Sequence, residues 1–472
     1  MKSSFFRFSV VMAGVALLSA CASTDAPPTR ELQVPANYNQ GITTANGSQH
    51  PITLHATHPA VDIAKQAWWK GFGDARLDRL ITDVLAVNAD LASAGLTLRK
   101  ARLQAGLASN DLWPQPSGSV NTNGSRYLDT HDSVQRSSNA NLSLSWEIDL
   151  WGRLRAARDV ADWEARATAE DKENTALSLV AEVCEQYWTL AYLNQSIASG
   201  QAHLDQLQQI LQLVQVQFGA GAVSQLELRE AQQNVQAQQI AQSQLLQERV
   251  ETRNAIAVLR DGAPWPLSDE PGNLDDAQSP PLQAGVPAEL LGRRPDLRAA
   301  ELRLREALSN IKATARSYYP ALTLTGSVGT SSSALSDVLQ NPLGTLGAGL
   351  TLPFLNLPQM QLNTDIAKTE YEISASNFRT TLYTALKEVG NALSARDQLV
   401  TQVDAAQASF DAARDVERMY GVRYRSGAAD LRTWLDAQQT LRDAELSLAQ
   451  RRRDQLLNDV TLYLALGGSA TQ

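Results

Sequence analysis

The clearest pattern in the chain is a strict alternation of apolar and polar side chains from Ala140 to Leu150. The even positions carry Ala, Leu, Leu, Trp, Ile and Leu, and every odd position between them is polar or charged. Since successive side chains of a β-strand point to opposite faces, the pattern predicts a strand with one apolar and one polar face. In a soluble sandwich the apolar face would pack on a second sheet, whereas in a membrane barrel it would face lipid.

Three further strands are predicted around this one. Two of them follow the prolines that end helical stretches, Pro114 and Pro320. The strand after Pro114 is mostly polar, whereas the one after Pro320 alternates. The fourth strand is a counterpart of 139–150, and its apolar face is predicted to carry Leu346, Ala348, Leu350, Leu352 and Phe354. The segments 129–135 and 333–343 are expected to be loops.

A helical period governs most of the remaining sequence. The run from 152 to 217 contains no proline, and as an α-helix it would extend about 100 Å. Five of its residues are spaced 3-4-3-4, which is the spacing of a coiled-coil seam: Leu204, Leu207, Leu211, Val214 and Phe218. The corresponding seam later in the chain has one polar interruption: Phe410, Ala413, Glu417, Tyr420 and Tyr424.

Each long helix is predicted to turn back sharply into a second helix. Gly219 and Gly221 provide the left-handed backbone that ends a helix, and Ser224 with Glu227 forms the sequence pattern of a capping box that starts the next one. Two helical hairpins are therefore expected, with their tips at 219–224 and 425–430.

The order of these elements repeats when the chain is shifted by 206 residues against itself. The matching positions include Asp90 with Asp296, Leu98-Arg99 with Leu304-Arg305, Trp113-Pro114 with Tyr319-Pro320, Gly221 with Gly427, and Ala231-Gln232 with Ala437-Gln438. We therefore predict a tandem duplication. The expected boundaries are repeat 1 at 61–265, an inter-repeat linker at 266–290, repeat 2 at 291–468 and a tail at 469–472.

Composition and charge narrow the class of protein. Of the 472 residues 43% are hydrophobic and only 6% aromatic, and Ala, Gln and Leu are abundant, which suits long helices better than large packed cores. The net charge of −9 and the lack of a concentrated basic stretch exclude a nucleic-acid binder.

The start of the chain predicts its compartment. Lys2 and Arg7 precede an apolar run over 10–18, and Leu18-Ser19-Ala20-Cys21 resembles the lipobox of bacterial lipoproteins, in which the cysteine is acylated. We predict a signal peptide over 1–20 and a lipidated N-terminal tether over 21–60; a plain signal peptide is the alternative. Ala22 after the cysteine implies sorting to the outer membrane. No apolar run of 18 residues follows, so strands must make any membrane crossing.

No catalytic constellation, metal site or cofactor is predicted. The five histidines lack a nucleophile or metal-ligand pattern: His50, His55, His58, His131 and His203. Cys184 is left without a partner cysteine once Cys21 is lipidated, and its helical surroundings indicate a small packing residue.

Four strands per chain are too few to enclose a lumen, and open sheet edges in lipid would leave backbone groups unpaired. Three chains under cyclic symmetry would supply twelve strands and gather the helices into a tube. The predicted fold class is an α+β membrane protein with an internal tandem repeat. A trimeric 12-stranded transmembrane β-barrel would be continuous with a long α-helical coiled-coil periplasmic tunnel.

Several motifs resemble the lipoprotein branch of the TolC/OprM outer-membrane factor family. They are the lipobox, WWKGFGDARLDRLI at 68–81, WEIDLWGRLR at 146–155, RRPDLRAAE at 293–301 and YRSGAADL at 424–431. The resemblance implies a homotrimer in outer-membrane lipid that forms the exit duct of a tripartite efflux pump. A periplasmic membrane-fusion adaptor and an inner-membrane transporter, of the RND type, would be its partners. Leu357-Pro358-Gln359 replaces the family's usual Gly pair, so altered strand-to-helix geometry is expected there.

The resemblance also assigns roles to the hairpin tips. Asp430 is the candidate for an acidic ring that constricts the periplasmic aperture, and Arg423 and Arg425 are candidates for a latch of the closed state. Asp430 matches Ser224 in the repeat, so a helix N-cap is the alternative role. The residues predicted to contact the adaptor lie at the same tips: Gly219, Gly221, Leu226, Ser426, Gly427 and Leu431.

Three functional readings remain open from the sequence. The first is a passive duct for drugs or other small molecules, and the second is a duct for type I protein secretion with the same architecture. The third is a trimeric coiled-coil surface adhesin or scaffold, which would need neither paired barrel strands nor returning hairpins. Trp146, Trp151 and Tyr127 are candidate interfacial anchors, although packing at the strand-to-helix joint is expected for Trp151.

Overall fold

The computed structural model describes residues 34, 67–127, 129, 133–274, 277, 279, 290–333 and 342–468. The signal peptide, Cys21, the histidines at 50, 55, 58 and 131 and nearly all of the tether lie outside these residues. The described elements in chain order are α1 (Ala75–Val87), α2 (Ala89–Asn110), β1 (Gln115–Ser125), β2 (Gln135–Ile148), α3 (Arg153–Gly219), α4 (Gln225–Leu259), α5 (Leu290–Arg293), α6 (Pro295–Arg316), β3 (Ala321–Ser332), β4 (Leu343–Thr351), α7 (Leu357–Arg425) and α8 (Leu431–Ala465).

The chain divides into two compact units. Among the described residues, unit 1 comprises 96–169 and 299–380 and contains the four strands, and unit 2 comprises the rest. No single described helix has the length and apolar character needed to cross a bilayer; the bent pair α1–α2 meets that criterion by length and composition alone.

The strands form one antiparallel sheet in the order β1-β2-β3-β4, so β1 and β4 are its edges. The pairing of β1 with β2 places Gln115 opposite Ser145, and the pairing of β3 with β4 places Ala321 opposite Thr351. Each number in the second pair is 206 higher than its counterpart in the first. The two outer strand pairs therefore have the same register under the shift found in the sequence.

Two strand ends differ from the prediction. Leu150 lies beyond β2, which ends at Ile148, because the Asp149 carboxylate accepts the backbone N–H groups of Leu154 and Arg155 and starts α3. The prediction that Leu352 and Phe354 continue β4 was wrong. Strand β4 ends at Thr351 and a 3-10 turn spans Pro353–Leu355, because proline has no N–H to extend the ladder.

The helices of unit 1 form a layer in the same order as the strands. Ala101 and Ala105 of α2 pack against Ala165 of α3. Arg303 of α6 lies 3.4 Å from Glu164 of α3, measured from Nε to Oε2. Helix α6 then contacts α7, where Asn310 Nδ2 donates to Glu370 Oε2 at 3.1 Å. Helices α2 and α7 are therefore the edges of this layer.

The core of unit 2 is built on aromatic side chains. The Trp68 and Tyr463 rings stack at 4.8 Å, and Phe72 packs against Trp188. Four residues of α1 at helical spacing are buried in the same cluster: Leu77, Leu80, Ile81 and Val84. Cys184 is also fully buried there, which confirms its prediction as a packing residue, and burial raises the pKa of its thiol.

The first part of the predicted linker packs on this core. Trp265, the last residue of repeat 1, and Leu274, within the linker, are buried in the aromatic cluster. Between them the Glu270 carboxylate receives Arg249 at 2.8 Å and Arg253 at 3.0 Å. The described part of the linker is thereby fixed to α4.

Candidate functional site

The sheet has two chemically distinct faces. Residues that pair across the strands share a face, so Leu142 lies opposite Gly118 on one side and Val328 on the other. That face is exposed in the single chain, with Leu142 at 63% and Leu346 at 92% exposure. Its apolar members are Val120, Ala140, Leu142, Leu144, Trp146, Ile148, Leu322, Leu324, Val328, Leu346, Ala348 and Leu350. The alternation predicted from Ala140 onward is thus present in three dimensions.

The opposite face is polar and uncharged. Every odd position in 117–125, 137–145, 323–331 and 345–351 is Ser, Thr, Asn or Gly. Hydroxyl groups pair across it, as between Ser117 and Ser143 at 2.7 Å. Glu147, near the C-terminal end of β2, is charged, but its carboxylate accepts a two-point bond from Arg153 that neutralises it. This face offers hydrogen bonds to water but no fixed net charge.

The joint between β2 and α3 is fixed by several side chains. The Trp151 indole donates to the Pro320 carbonyl at 2.8 Å and meets the Tyr319 ring edge-on, which confirms its expected packing role. Gly152 has a φ of +75°, and Arg316 donates to its carbonyl oxygen at 3.0 Å. A Cβ at Gly152 would lie 2.9 Å from that guanidinium, so only glycine fits without rearrangement.

The joint between β4 and α7 is built differently. Position 358, which the 206-residue shift matches to Gly152, is Pro358, the second residue of α7. The Asn356 side chain accepts the N–H of Gln359 at 3.4 Å at the start of this helix. A fixed proline φ in the first helical turn here takes the place of a left-handed glycine.

The tip between α3 and α4 has the predicted capping box. The N–H of Leu226 donates to the Ser224 hydroxyl at 3.1 Å, and the N–H of Ser224 donates to the Glu227 carboxylate at 2.9 Å. Gly221 has a φ of +72°, and the following N–H of Ala222 closes the helix end on Gln217 at 2.9 Å. The tip is therefore a short, defined turn.

The tip between α7 and α8 has the same geometry. Gly427 has a φ of +74°, and the N–H of Ala428 donates to Arg423 O at 2.8 Å. Asp430 caps α8 by accepting the N–H of Thr433 at 2.7 Å, which confirms the alternative role predicted for it. Hydrogen bonds from the Thr433 side chain and from its backbone N–H hold the pKa of Asp430 below its ordinary value, so this exposed carboxylate is charged at neutral pH.

The residues predicted to contact the adaptor at the tips differ in their exposure. Leu226 is 65% exposed, but Leu431 is only 3% exposed and packs in the hairpin seam, so it is not available for direct contact. Arg423 lies over the Tyr420 ring, and Arg425 donates to the Gly421 carbonyl at 2.9 Å. Neither arginine pairs with a carboxylate among the described residues, and the latch stays a prediction.

The seam itself matches the predicted spacing except at its end. Leu204, Leu207 and Val214 are buried, but Phe218 is exposed, because the helix turns immediately after it. Sequence reasoning missed Trp434, which stacks on Tyr424 and donates to Glu417 at 2.9 Å. The Glu417 interruption of the second seam is therefore hydrogen-bonded.

His203 carries no sign of metal or acid-base chemistry. Burial and the nearby Arg442 lower the pKa of His203 to about 4, so it is neutral at physiological pH. The described residues contain no group of three His, Cys, Asp or Glu side chains arranged to hold a metal ion.

Comparison with solved structures defines the class. The chain superposes on the crystal structure of CusC with a TM-score of 0.80 and 26% identity, covering 94% of this chain and 99% of that one. The open state of the MtrE outer-membrane channel of Neisseria gonorrhoeae gives a TM-score of 0.75 and 29% identity, covering 83% and 89%. The fold is that of outer-membrane channels.

The sequence comparisons define the family. The profile described as "Outer membrane efflux protein" matches residues 80–260 and again 286–468. The chain belongs to this outer membrane efflux protein family, which confirms the resemblance found in the motifs. The pyoverdine export outer membrane protein OpmQ of Pseudomonas putida is 32% identical over 96% of this chain and 95% of its own length. The probable efflux pump outer membrane protein TtgC of the same species is 30% identical, with coverages of 96% and 93%. The protein is therefore an outer-membrane efflux channel that extends into the periplasm.

Proposed function

We propose that three copies of this chain close a 12-stranded barrel in the outer membrane, continued by a tunnel of long helices in the periplasm. The assembly serves as the exit duct of a tripartite efflux pump. One observation carries the proposal: the sheet has an exposed apolar face, an uncharged polar face and two unpaired edges. Lipid covers the apolar face, and water in the lumen contacts the polar face. Neighbouring copies pair with the two edges. An adhesin or scaffold would have no use for this division of faces.

We further propose that the chain is a tandem duplication with the boundaries given above. The shared strand register of the two outer strand pairs supports it, as do the two separate segments matched by the family profile. The element order helix, strand, strand, long helix, helix occurs twice among the described residues. Lipidation at Cys21 is proposed from the lipobox alone.

The proposed partners are a periplasmic membrane-fusion adaptor and an inner-membrane transporter of the RND type. The two tips present exposed polar backbone turns with Leu226 at the surface, and this is where the adaptor is proposed to dock. Transport energy would come from these partners, while the duct itself is passive.

The proposed cargo is small molecules. The relatives are named for export of pyoverdine, for a toluene efflux pump and for an antibiotic efflux pump. Protein secretion is the second candidate, because a relative that is 28% identical over 86% of this chain is named toxin and drug export protein A, from Aggregatibacter actinomycetemcomitans.

The proposal is tested by planar-bilayer recording of the purified, membrane-extracted protein. Discrete conductance steps from a trimer of defined mass are expected. A folded trimer that shows no conductance, even when it carries the Asp430→Ala substitution, would contradict the proposed channel function. To separate the two cargo classes, the gene is deleted in its host. Higher susceptibility to small toxic compounds with an unchanged set of secreted proteins supports efflux, and the reverse supports secretion.

Asp430 is expected to contribute a charge to the aperture in addition to its capping bond. Asp430→Asn keeps the cap, because asparagine caps helices as well as aspartate, and removes the charge. Asp430→Ala removes both. Both variants are expected to lower the cation preference of the channel to a similar extent, measured as the reversal potential in a KCl gradient.

Only the alanine variant is expected to speed hydrogen exchange at the Thr433 amide, because that amide loses its acceptor. Asp436→Asn is the matched control for charge, since Asp436 is an exposed carboxylate of the same helix. If the reversal potential is unchanged in both variants, the Asp430 charge does not act on the aperture, and its role is to cap the helix.

A further inference from the structure

A belt of polar residues interrupts the core of unit 2 between two of its apolar clusters. The aromatic cluster includes Trp188 and Ile256, and the hairpin seam includes Leu204 and Val235. Between these clusters α3, α4 and α8 each contribute two buried positions that are one helical turn apart. This polar belt consists of Ser196 and Gly200 of α3, Gln238 and Gln242 of α4, and Gln438 and Arg442 of α8. The first hairpin therefore meets α8 of the second hairpin through polar groups at this level.

The polar belt is closely packed around Gly200. Gln238 Nε2 donates to the Gly200 carbonyl oxygen at 3.0 Å, and Gln242 Nε2 donates to the Ile197 carbonyl oxygen, also at 3.0 Å. A Cβ at Gly200 would overlap Gln242 Oε1 and lie 3.1 Å from Arg442 Nη2. The backbone of α3, the Gln242 amide and the Arg442 guanidinium are therefore immediate neighbours.

Arg442 is the charged member of the polar belt, and no carboxylate of the described chain pairs with it. The side chain is only 4% exposed, and its Nη1 is buried without a hydrogen-bond partner among the described residues. Burial lowers the pKa of Arg442, and the more distant carboxylates of Glu445 and Asp443 offset this only in part. Because a guanidinium stays protonated in proteins, a positive charge is left in the core without an adjacent counter-charge.

Three neutral atoms of the polar belt are also unpartnered. Ser196 Oγ, Gln242 Oε1 and Gln438 Oε1 are buried without a hydrogen-bond partner in the part of the chain that the structure describes. Buried polar groups of folded proteins are nearly always hydrogen-bonded, and buried charges are paired. A small anion can accept hydrogen bonds from the arginine and the serine hydroxyl, and a water molecule bound with it can donate to the two glutamine oxygens.

We propose that the polar belt binds one halide ion, chloride in the cell, at the Arg442 guanidinium. The charge favours an anion over water alone, because an unpaired buried charge costs far more free energy than an unpaired neutral group. The close packing at Gly200 favours a monatomic ion over phosphate or a carboxylate. The terminal groups of arginine and glutamine can rotate to admit such an ion without a shift of the helices.

The site is complete within one copy of the chain. Arg442 is covered by its own helices, so a neighbouring copy need not contribute to it. The bound ion would join α3 and α4 to α8 between the two apolar clusters, and the proposal holds whether or not the duct is correct. Binding to the folded state alone raises the melting temperature in proportion to the logarithm of the ligand concentration.

The first test compares the melting temperature of the purified, membrane-extracted protein in chloride, in bromide and in gluconate at equal ionic strength. Gluconate is too large for the site, so both halides are expected to raise the melting temperature of the wild type by about 2–4 °C over gluconate. Equal melting temperatures in the three salts would overturn the proposal.

Arg442→Met removes the charge and keeps an apolar side chain of similar length. This variant is expected to melt at one temperature in all three salts, and in gluconate no lower than the wild type, because the unpaired charge is gone. If Arg442 served only for packing, the variant would melt lower by the same amount in every salt. Arg432→Met is the matched control, since Arg432 is an exposed arginine of the same helix, and it is expected to keep the halide effect.

The second test locates the ion in the wild-type protein and does not depend on any variant. Crystals grown in bromide are expected to show an anomalous scattering peak within hydrogen-bonding distance of Arg442 Nη1. Water alone at that position, a carboxylate on Arg442, or bromide only at other places as an adventitious ion would each overturn the proposal. Ser196→Ala is expected to weaken the peak and to reduce the halide effect on the melting temperature, because one donor to the ion is lost.

Discussion

Leu142→Arg is expected to prevent stable insertion of the assembled protein into the outer membrane. Leu142 lies in the middle of β2 on the exposed apolar face, between Gly118 and Val328. In the proposed trimeric barrel this face meets lipid, where an arginine on a transmembrane strand costs about 2–4 kcal/mol near the bilayer centre, once in each copy. The measurement is the amount of heat-sensitive trimer recovered from outer membranes, compared with the wild type.

Ser143→Arg is the matched control, because it places the same side chain one residue later on the polar face. This variant is expected to insert normally, but with a smaller single-channel conductance and a shift of the reversal potential toward anions. If both variants insert equally well, or if Ser143→Arg is the one that fails, the assignment of the two faces is wrong.

Arg294→Ala is expected to cause a large loss of stability in unit 2. The buried Arg294 guanidinium makes a two-point bond to Asp296, at 3.0 and 2.7 Å, and donates to Glu388 at 2.8 Å and to the Ala465 carbonyl at 3.0 Å. One side chain thus joins the start of α6 to α7 and to the end of α8. Burial lowers the pKa of Arg294, but the bonds to both carboxylates outweigh it and hold that pKa above its ordinary value.

Removing this arginine takes its guanidinium away from two carboxylates and a carbonyl, which is expected to lower the free energy of unfolding by about 3 kcal/mol. The variant is compared with the wild type by denaturant unfolding in detergent. Arg432→Ala is the matched control, since Arg432 makes a long, exposed ion pair with Asp436 and is expected to change stability by less than about 0.5 kcal/mol. Equal losses in the two variants would mean that the Arg294 contacts are not maintained in solution.

Local patterns predicted much of this molecule. The alternation around Leu144 predicted both faces of the sheet, because strand side chains obey a period of two whatever lies on either side. The capping box at Ser224 and the cap at Asp430 were predictable because each depends on residues within one helical turn. The seam spacing from Leu204 to Val214 was predictable for the same reason.

Other features depend on contacts between distant parts of the chain. Arg294 belongs to the RRPDL motif, which in the sequence indicated only the family. Its structural role depends on contacts with residues 94 and 171 positions away along the chain. The burial of Leu431 results from packing against the other hairpin, which the periodicity of α8 alone does not reveal. The error at Leu352 and Phe354 had a local cause, since Pro353 between them already argued against a longer strand.

The two unpaired edges of the sheet also bear on how the protein reaches its membrane. Before it reaches the membrane, a single subunit exposes the edge strands β1 and β4, with which any extended peptide could pair. It also exposes the apolar face of the sheet. On the way to the proposed trimer, such a subunit would depend on chaperone shielding or on rapid encounter with other copies. Oligomerisation and aggregation would then compete during biogenesis. Overproduction of the chain should therefore induce the envelope stress response before any transport defect is detectable.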